Sequence, residues 1–341
     1  MSTQYARPFT RRRFLTGLTV AGTGGLLGLR ASPAQAEPPP ETTRIRLVKV
    51  PSICRAPQFI AEVLLAGEGF TEVHYIEDTD GGVGTRQTLA SGEVDFSMSY
   101  VGPLIKQIDT KGQIVFLAGV QVGCFALIGT ERVRVLRDLK GKTVAVTGLG
   151  GSDHVFLASM AAYIGLDPQR HITWVTYRNA EAVQLLVEGQ IDAFMVFPPL
   201  VQELQARQIG HVVVNSSIDR PWSQYFCCLL TGNQEFVRTH PVATKRALRA
   251  ILKAADLCAT DPESAARFLV SHGYTTQYDY ALQALKDIPY NQWREYDPEE
   301  TVRFYALRLH ELGMIRSSPQ KIIAQGTDWR FLKELKKELK G

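Results

Sequence analysis

Apolar and polar residues first alternate in Arg44-Ile45-Arg46-Leu47-Val48-Lys49-Val50, the two-residue period of a strand. Behind it, Phe59, Ile60, Val63 and Leu64 fall three and four apart, which predicts a helix over 56–66. The theme continues with strands over 73–76, 94–98 and 114–120 and helices over 85–91 and 103–108. A second set follows: strands over 143–146, 172–176, 191–196 and 212–214, separated by helices over 155–164, 180–187 and 200–206. Strands alternating with helices at this spacing predict parallel β-α-β units with right-handed crossovers. A strand over 225–231 is placed to return to the first half. Beyond Glu235 the period is helical, over 241–258, 262–272, 277–286 and 298–312, and these helices are expected to pack back on the first half. The Lys/Glu-rich stretch 333–340 reads as a solvated helix face.

The two halves share more than a rhythm. Leu89-Ala90-Ser91-Gly92-Glu93-Val94-Asp95-Phe96 is echoed by Leu186-Val187-Glu188-Gly189-Gln190-Ile191-Asp192-Ala193 at a constant offset of 97 residues. In both, a helix ends at a glycine suited to the left-handed closing position, and an acidic residue leads into a strand. One repeat this long is no solenoid and implies two similar lobes.

Composition changes the picture at the N-terminus. Arg11-Arg12-Arg13-Phe14-Leu15 opens a mildly apolar, Gly-rich stretch that reaches Leu29, and Ala34-Gln35-Ala36 supplies small residues before Glu37. That order is a secretory signal of the twin-arginine type, cleaved after Ala36, and it is shorter than the roughly 20 residues of a spanning helix. Residues 1–36 carry five of the 38 basic residues and no acidic one. Without them 33 basic residues face 34 acidic, so a formal charge of +4 becomes −1 and a nucleic-acid partner loses its electrostatic case. The Pro-rich stretch 37–43 reads as a linker.

The five cysteines (Cys54, Cys124, Cys227, Cys228 and Cys258) show no C-x-x-C and no metal-type spacing with histidine. They read as buried small hydrophobes, with at least one thiol unpaired in a monomer, and no metal site is expected.

Ligands of open α/β sheets bind outside the carboxyl ends of the strands, so the loops there are the candidate site. After the first strand come Ser52, Cys54 and Arg55, where Arg55 either pairs with an anion or is a surface arginine. After the third come Ser99 and Tyr100, and Phe197 stands at the 97-residue equivalent of Tyr100. The two rings either sandwich a flat solute or pack in the core. Gly148-Leu149-Gly150-Gly151-Ser152-Asp153-His154 follows a strand and precedes a helix. Its N–H groups suit an anion, while Ser152 or Asp153 also suits a helix cap. It lacks the Gly-Lys-Ser/Thr ending of a nucleotide loop and the last glycine of a dinucleotide motif, so no cofactor is expected. The acidic loop 77–82 favours a cationic solute if it faces the cleft. Trp222 precedes the returning strand.

These features resemble the periplasmic solute-binding proteins of ABC transporters of the nitrate/sulfonate/taurine type, related to a pyrimidine-precursor binding and synthase group. The likeness rests on the first strand with its Pro57 loop, on 89–99, on Asp138-Leu139-Lys140-Gly141-Lys142 with Val144-Ala145-Val146, and on Glu188-Gly189-Gln190-Ile191-Asp192-Ala193, and it spans 44–270. It implies a two-lobed α/β fold, each lobe a mainly parallel sheet flanked by helices, with a helical C-terminal portion. The lobes would divide as 44–122 for the first, 123–224 for the second with its crossover, and 225–341 for the return. It further implies a monomer that captures a small organic solute by hinge closure and hands it to an ABC permease in the inner membrane. Two alternatives stand beside transport: a periplasmic enzyme on the same fold, and a sensory protein presenting its ligand to a receptor. No catalytic set is legible. The iron-binding cysteine cluster of the synthase group is not expected here, because its sequence pattern is missing.

Overall fold

The computed structural model describes residues 37–50, 52–78 and 83–340; the expectations for the leader 1–36 and for residues 79–82 of the acidic loop lie outside them. Ten strands form two five-stranded sheets. Sheet A holds β1 (Arg44–Lys49), β2 (Glu72–Glu77), β3 (Phe96–Tyr100) and β4 (Ile114–Val122). Sheet B holds β5 (Ala126–Gly129), β6 (Lys142–Val146), β7 (Ile172–Thr176), β8 (Ala193–Val196) and β9 (His211–Asn215). The last strand, β10 (Phe226–Asn233), returns to sheet A. The orders are β2-β1-β3-β10-β4 and β7-β6-β8-β5-β9. In each sheet the strand that arrives from the other lobe, β10 or β5, is antiparallel to both neighbours, while β1 and β6 run parallel to theirs. The chain therefore crosses between sheets twice, at Gly123–Phe125 and after Asn215.

The 97-residue repeat has a physical cause. Asp95 is 1% exposed, and its carboxylate accepts from the Arg46 N–H at 2.7 Å and from the Arg46 guanidinium. Asp192 accepts from the Thr143 N–H at 2.8 Å and from Arg132 Nε at 2.5 Å. In each lobe the acidic residue ahead of the third strand thus ties that strand to the start of the first. Gly92 (φ 76°) and Gly189 (φ 71°) close the preceding helices in the left-handed region.

β1 and β3 pair only at Leu47–Phe96, then splay toward their carboxyl ends. The buried Gln58 fills the gap: its Nε2 donates to Val48 O at 2.6 Å and its Oε1 accepts from Met98 N at 2.9 Å. This satisfies two backbone groups that the ladder leaves open, and it opens the sheet edge where a ligand would sit. The helix predicted over 103–108 starts earlier, at Val101, because Pro103 falls in its first turn, where no N–H is needed. The helix predicted over 56–66 breaks at Ala61 into Ala56–Ile60 and Glu62–Leu65.

The helix Pro241–Thr260 packs on β4 and on Ala56–Ile60, so β4 is buried along its whole length. A second apolar cluster, including Ile128, Leu186, Phe194 and Leu204, fills the second lobe. One C-terminal helix does more than cover the first lobe. Pro298–Glu311 touches both Val101–Thr110 of the first lobe and Ser152–Tyr163 of the second.

Candidate functional site

Loops at the carboxyl ends of the parallel strands of sheet A meet those of sheet B. Ile53 N donates to Pro198 O at 3.4 Å, joining the loop after β1 to the loop after β8. A Cβ built on Gly102 would stand 2.8 Å from Val155 Cγ1, so the helix after β3 lies directly on the helix after β6.

The structure brings most of the expected residues to this junction. Ser52 and Cys54 are buried and bonded to each other, Oγ to Sγ, at 2.7 Å. Ser99 is buried and its Oγ pairs with Ser97 Oγ at 2.6 Å. Arg55 is 7% exposed. Its Nη1 makes no hydrogen bond to a described residue, and no acidic side chain among the described residues pairs with it. A buried guanidinium without an anion is a costly arrangement, which singles it out. The Tyr100 hydroxyl is likewise buried without a partner among the described residues.

Tyr100 and Phe197 do not face each other across a slot. Phe125, on the first crossover, stands between them, 5.6 Å from Tyr100 and 6.0 Å from Phe197, edge-on to both. Tyr100 also meets Phe156 and Tyr305 edge-on. Trp222 is 3% exposed and packs on Phe156, Tyr163 and Phe304. The apolar wall is therefore a cluster drawn from both lobes and the helix Pro298–Glu311. Phe125, Phe156 and Tyr305 were not singled out from sequence: Phe125 follows a strand but sits on the crossover between lobes, and Phe156 and Tyr305 lie inside helices.

The glycine loop is turned partly on itself. Gly150 N donates to His154 Nδ1 at 3.1 Å, and Gly151 N donates to Gly148 O at 3.0 Å. Gly151 holds the capping position, and Ser152 is the first residue of the helix. Asp153 bonds the loop: its carboxylate accepts from Thr147 N at 2.5 Å, from Thr147 Oγ1 at 2.9 Å and from His154 N at 2.9 Å. Burial nevertheless pushes this carboxyl above its ordinary range.

Two cations that the sequence reading passed over stand at the same junction. Lys106 Nζ comes within 3.7 Å of a Cβ built on Gly150, so a first-lobe ammonium overhangs the second-lobe loop. Burial lowers its pKa, and Arg86 nearby adds to the effect. Arg86 Nε is itself buried without a partner among the described residues. Both sit on helices that follow β2 and β3, where a helix-face reading treats cations as solvated.

His154 lies edge-on to Trp174 at 4.7 Å. Burial first, and then the Lys106 charge, hold its pKa down at about 4. The ring is thus neutral at pH 7, as an acceptor of the Gly150 N–H must be. Unfolded, it protonates near 6.5. As pH falls from about 6.5 to about 4, the unfolded chain takes up a proton that the fold resists, so stability drops across that window. Discounted for partial exposure, the loss is about 1 kcal/mol, or roughly 1–2 °C in Tm for a chain of this length. In His154→Gln, melting curves between pH 7 and pH 4 should lose that increment; an unchanged slope would remove His154 from the pH dependence.

The cysteines were expected to be inert, and all five are buried and unbridged. Three of them nonetheless converge. Cys124 Sγ is 3.4 Å from Cys227 Sγ, which is 4.0 Å from Cys228 Sγ. Burial pushes the Cys124 and Cys227 thiols up. The neighbouring Cys124 and Cys227 side chains pull Cys228 down, and the Arg55 charge helps.

A groove of about 930 Å³ lies elsewhere, lined by Arg46, Asn233, Arg238 and Arg330 at the amino ends of the parallel strands of sheet A. That is the wrong edge for a ligand of a parallel sheet.

Comparison with solved structures returns the same architecture. The periplasmic nitrate-binding protein NrtA from Synechocystis PCC 6803 superposes with a TM-score of 0.75 at 17% identity, over 88% of this chain and 90% of that one. The alkanesulfonate-binding protein SsuA from Xanthomonas axonopodis pv. citri, bound to MOPS, gives 0.66 at 16%, over 85% and 99%. The aliphatic sulphonate-binding protein SsuA from Escherichia coli gives 0.67 at 16%, over 85% and 94%. At these identities the likeness carries the fold. Comparison with curated proteins returned no match. The NMT1-like family model matches residues 38–270, the greater part of the sequence, and the chain belongs to that family.

Proposed function

We propose that the protein is the extracytoplasmic solute-binding component of an ABC importer, exported by the twin-arginine route as a monomer and closing its lobes on a small organic anion with a flat apolar part. The observation that carries this reading is Arg55. A guanidinium 7% exposed with no anionic partner among the described residues suits a carboxylate or sulfonate, which it can grip with two parallel hydrogen bonds. Arg86 and Lys106 add positive charge at the junction, and the ring cluster around Tyr100 and Phe125 offers the apolar wall. Neighbours named as nitrate- and sulfonate-binding proteins support the same class of solute.

The test is a thermal-shift screen of protein unfolded and refolded to strip any carried ligand. The panel holds sulfonates, nitrate, aromatic acids, pyrimidines and amines. A solute at about 100 times its Kd adds roughly 2.7 kcal/mol to the folded state. Organic anions should raise Tm and be recovered unchanged. Amines alone registering would sink the anion reading, and consumption of the hit would turn the protein into an enzyme.

A further inference from the structure

Cys227 and Cys228 are consecutive in β10, and consecutive strand residues normally point to opposite faces. Here the pairing of β10 with β4 slips between Phe226 and Cys228 and again between Cys228 and Leu229. Such a bulge re-aims a side chain, and it lets both sulfurs reach the same side. Cys124 joins them from the first crossover, 103 residues away in sequence, so that all three sulfurs lie within 4.8 Å of one another.

The spacings discriminate between uses of the thiols. A disulfide needs sulfurs about 2.05 Å apart, and no pair here is bonded. Three thiolates on one ion with bonds of about 2.3 Å stand about 3.8–4.0 Å from each other. Two of the separations, 3.4 and 4.0 Å, bracket that range, and the third lies within 4.8 Å. We infer that Cys124, Cys227 and Cys228 form a three-thiolate site for one thiophilic divalent cation of the zinc group, set at the base of the cleft and linking the first crossover to the start of β10. Binding displaces three thiol protons to solvent, and three thiolates on a divalent ion leave one net negative charge beside the Arg55 guanidinium. The thiols are 3–4% exposed, so the ion enters when the lobes part. Because the site ties the first crossover to the strand on which the second one ends, loading it also stiffens the pivot of lobe motion.

The test is a titration of the whole chain, reduced and stripped of metal without oxygen, with Cd(II) and with Zn(II) in competition. One equivalent of Cd(II) should produce a saturable thiolate-to-metal absorption band with release of protons. Cys124→Ser and Cys227→Ser should each weaken binding by at least about 100-fold, since even outer contacts to metal ligands matter 10- to 100-fold, while Cys258→Ser should bind like the unsubstituted chain. If a serine variant fails to fold, the unsubstituted titration decides alone. No saturable band, a band that survives Cys227→Ser, or a Cys124–Cys227 disulfide in the protein as isolated would each overturn the site. None of these outcomes depends on which organic solute the cleft takes.

Discussion

Arg55→Ala is expected to weaken binding of the organic anion by at least about thirtyfold, some 2 kcal/mol, without lowering the Tm of the unliganded protein. The two readouts separate because they measure opposite sides of one interaction. In the liganded state, truncation strands a buried anion without its partner. In the unliganded state, truncation removes a buried cation whose Nη1 has no partner among the described residues, which relieves a desolvation penalty. Arg55→Lys keeps the charge and loses the two-pronged geometry, so its affinity should fall between the two. Lys106→Ala is a contrast: its ammonium is partly solvated, and its effect should be a few-fold and fade with added salt. Isothermal titration of the four proteins with the best hit of the anion screen measures all of this. Equal affinity for Arg55→Ala and the unsubstituted chain would place the guanidinium outside the site.

Which of these features the sequence could reveal depends on the range of the interaction that creates them. Strand and helix periods are local, and they located nine of the ten strands closely; β5 was missed, because its four residues are buried on both faces and too few to show a period. The 97-residue echo was visible because Asp95 and Asp192 do the same work in each lobe, holding the third strand to the start of the first. Arg55 stood out because it is the one charged group in an apolar loop. The thiol cluster was not legible: it depends on a register slip in β10 and on two crossovers passing close together, and neither leaves a spacing pattern. Arg86 and Lys106 were hidden for a related reason. On a helix a cation is ordinarily a solvated one, and only the approach of the opposite lobe gives these two a role.

The crossovers meet at Gly123, and Gly123→Ala is expected to be strongly destabilising for a single added methyl group. Cys124 N donates to Ser216 Oγ at 3.0 Å, and Ser216 N and Oγ both donate to Phe125 O, at 2.9 and 2.8 Å. This lacing presses the two crossovers together until a Cβ on Gly123 would stand 2.4 Å from Ser217 Cα and 2.5 Å from the Ser216 carbonyl. Those are backbone atoms, which cannot rotate aside. Gly123 also has φ +59°, a left-handed conformation that alone disfavours alanine by about 1 kcal/mol. Overpacking typically adds about 1–3 kcal/mol and here has nowhere to relax, so a total of about 3 kcal/mol or more is expected. Gly165 separates the two contributions, since it has φ +82° and nothing within 4 Å of its Cβ position. Gly165→Ala should lose only the conformational part. Urea unfolding of both variants makes the comparison, with the midpoint of Gly123→Ala well below that of Gly165→Ala. Equal midpoints would mean that the crossovers lie apart in solution. The pivot of lobe closure would then be a loose pair of strands rather than a laced one, and the three thiols that the lacing gathers would have to be brought together by something else.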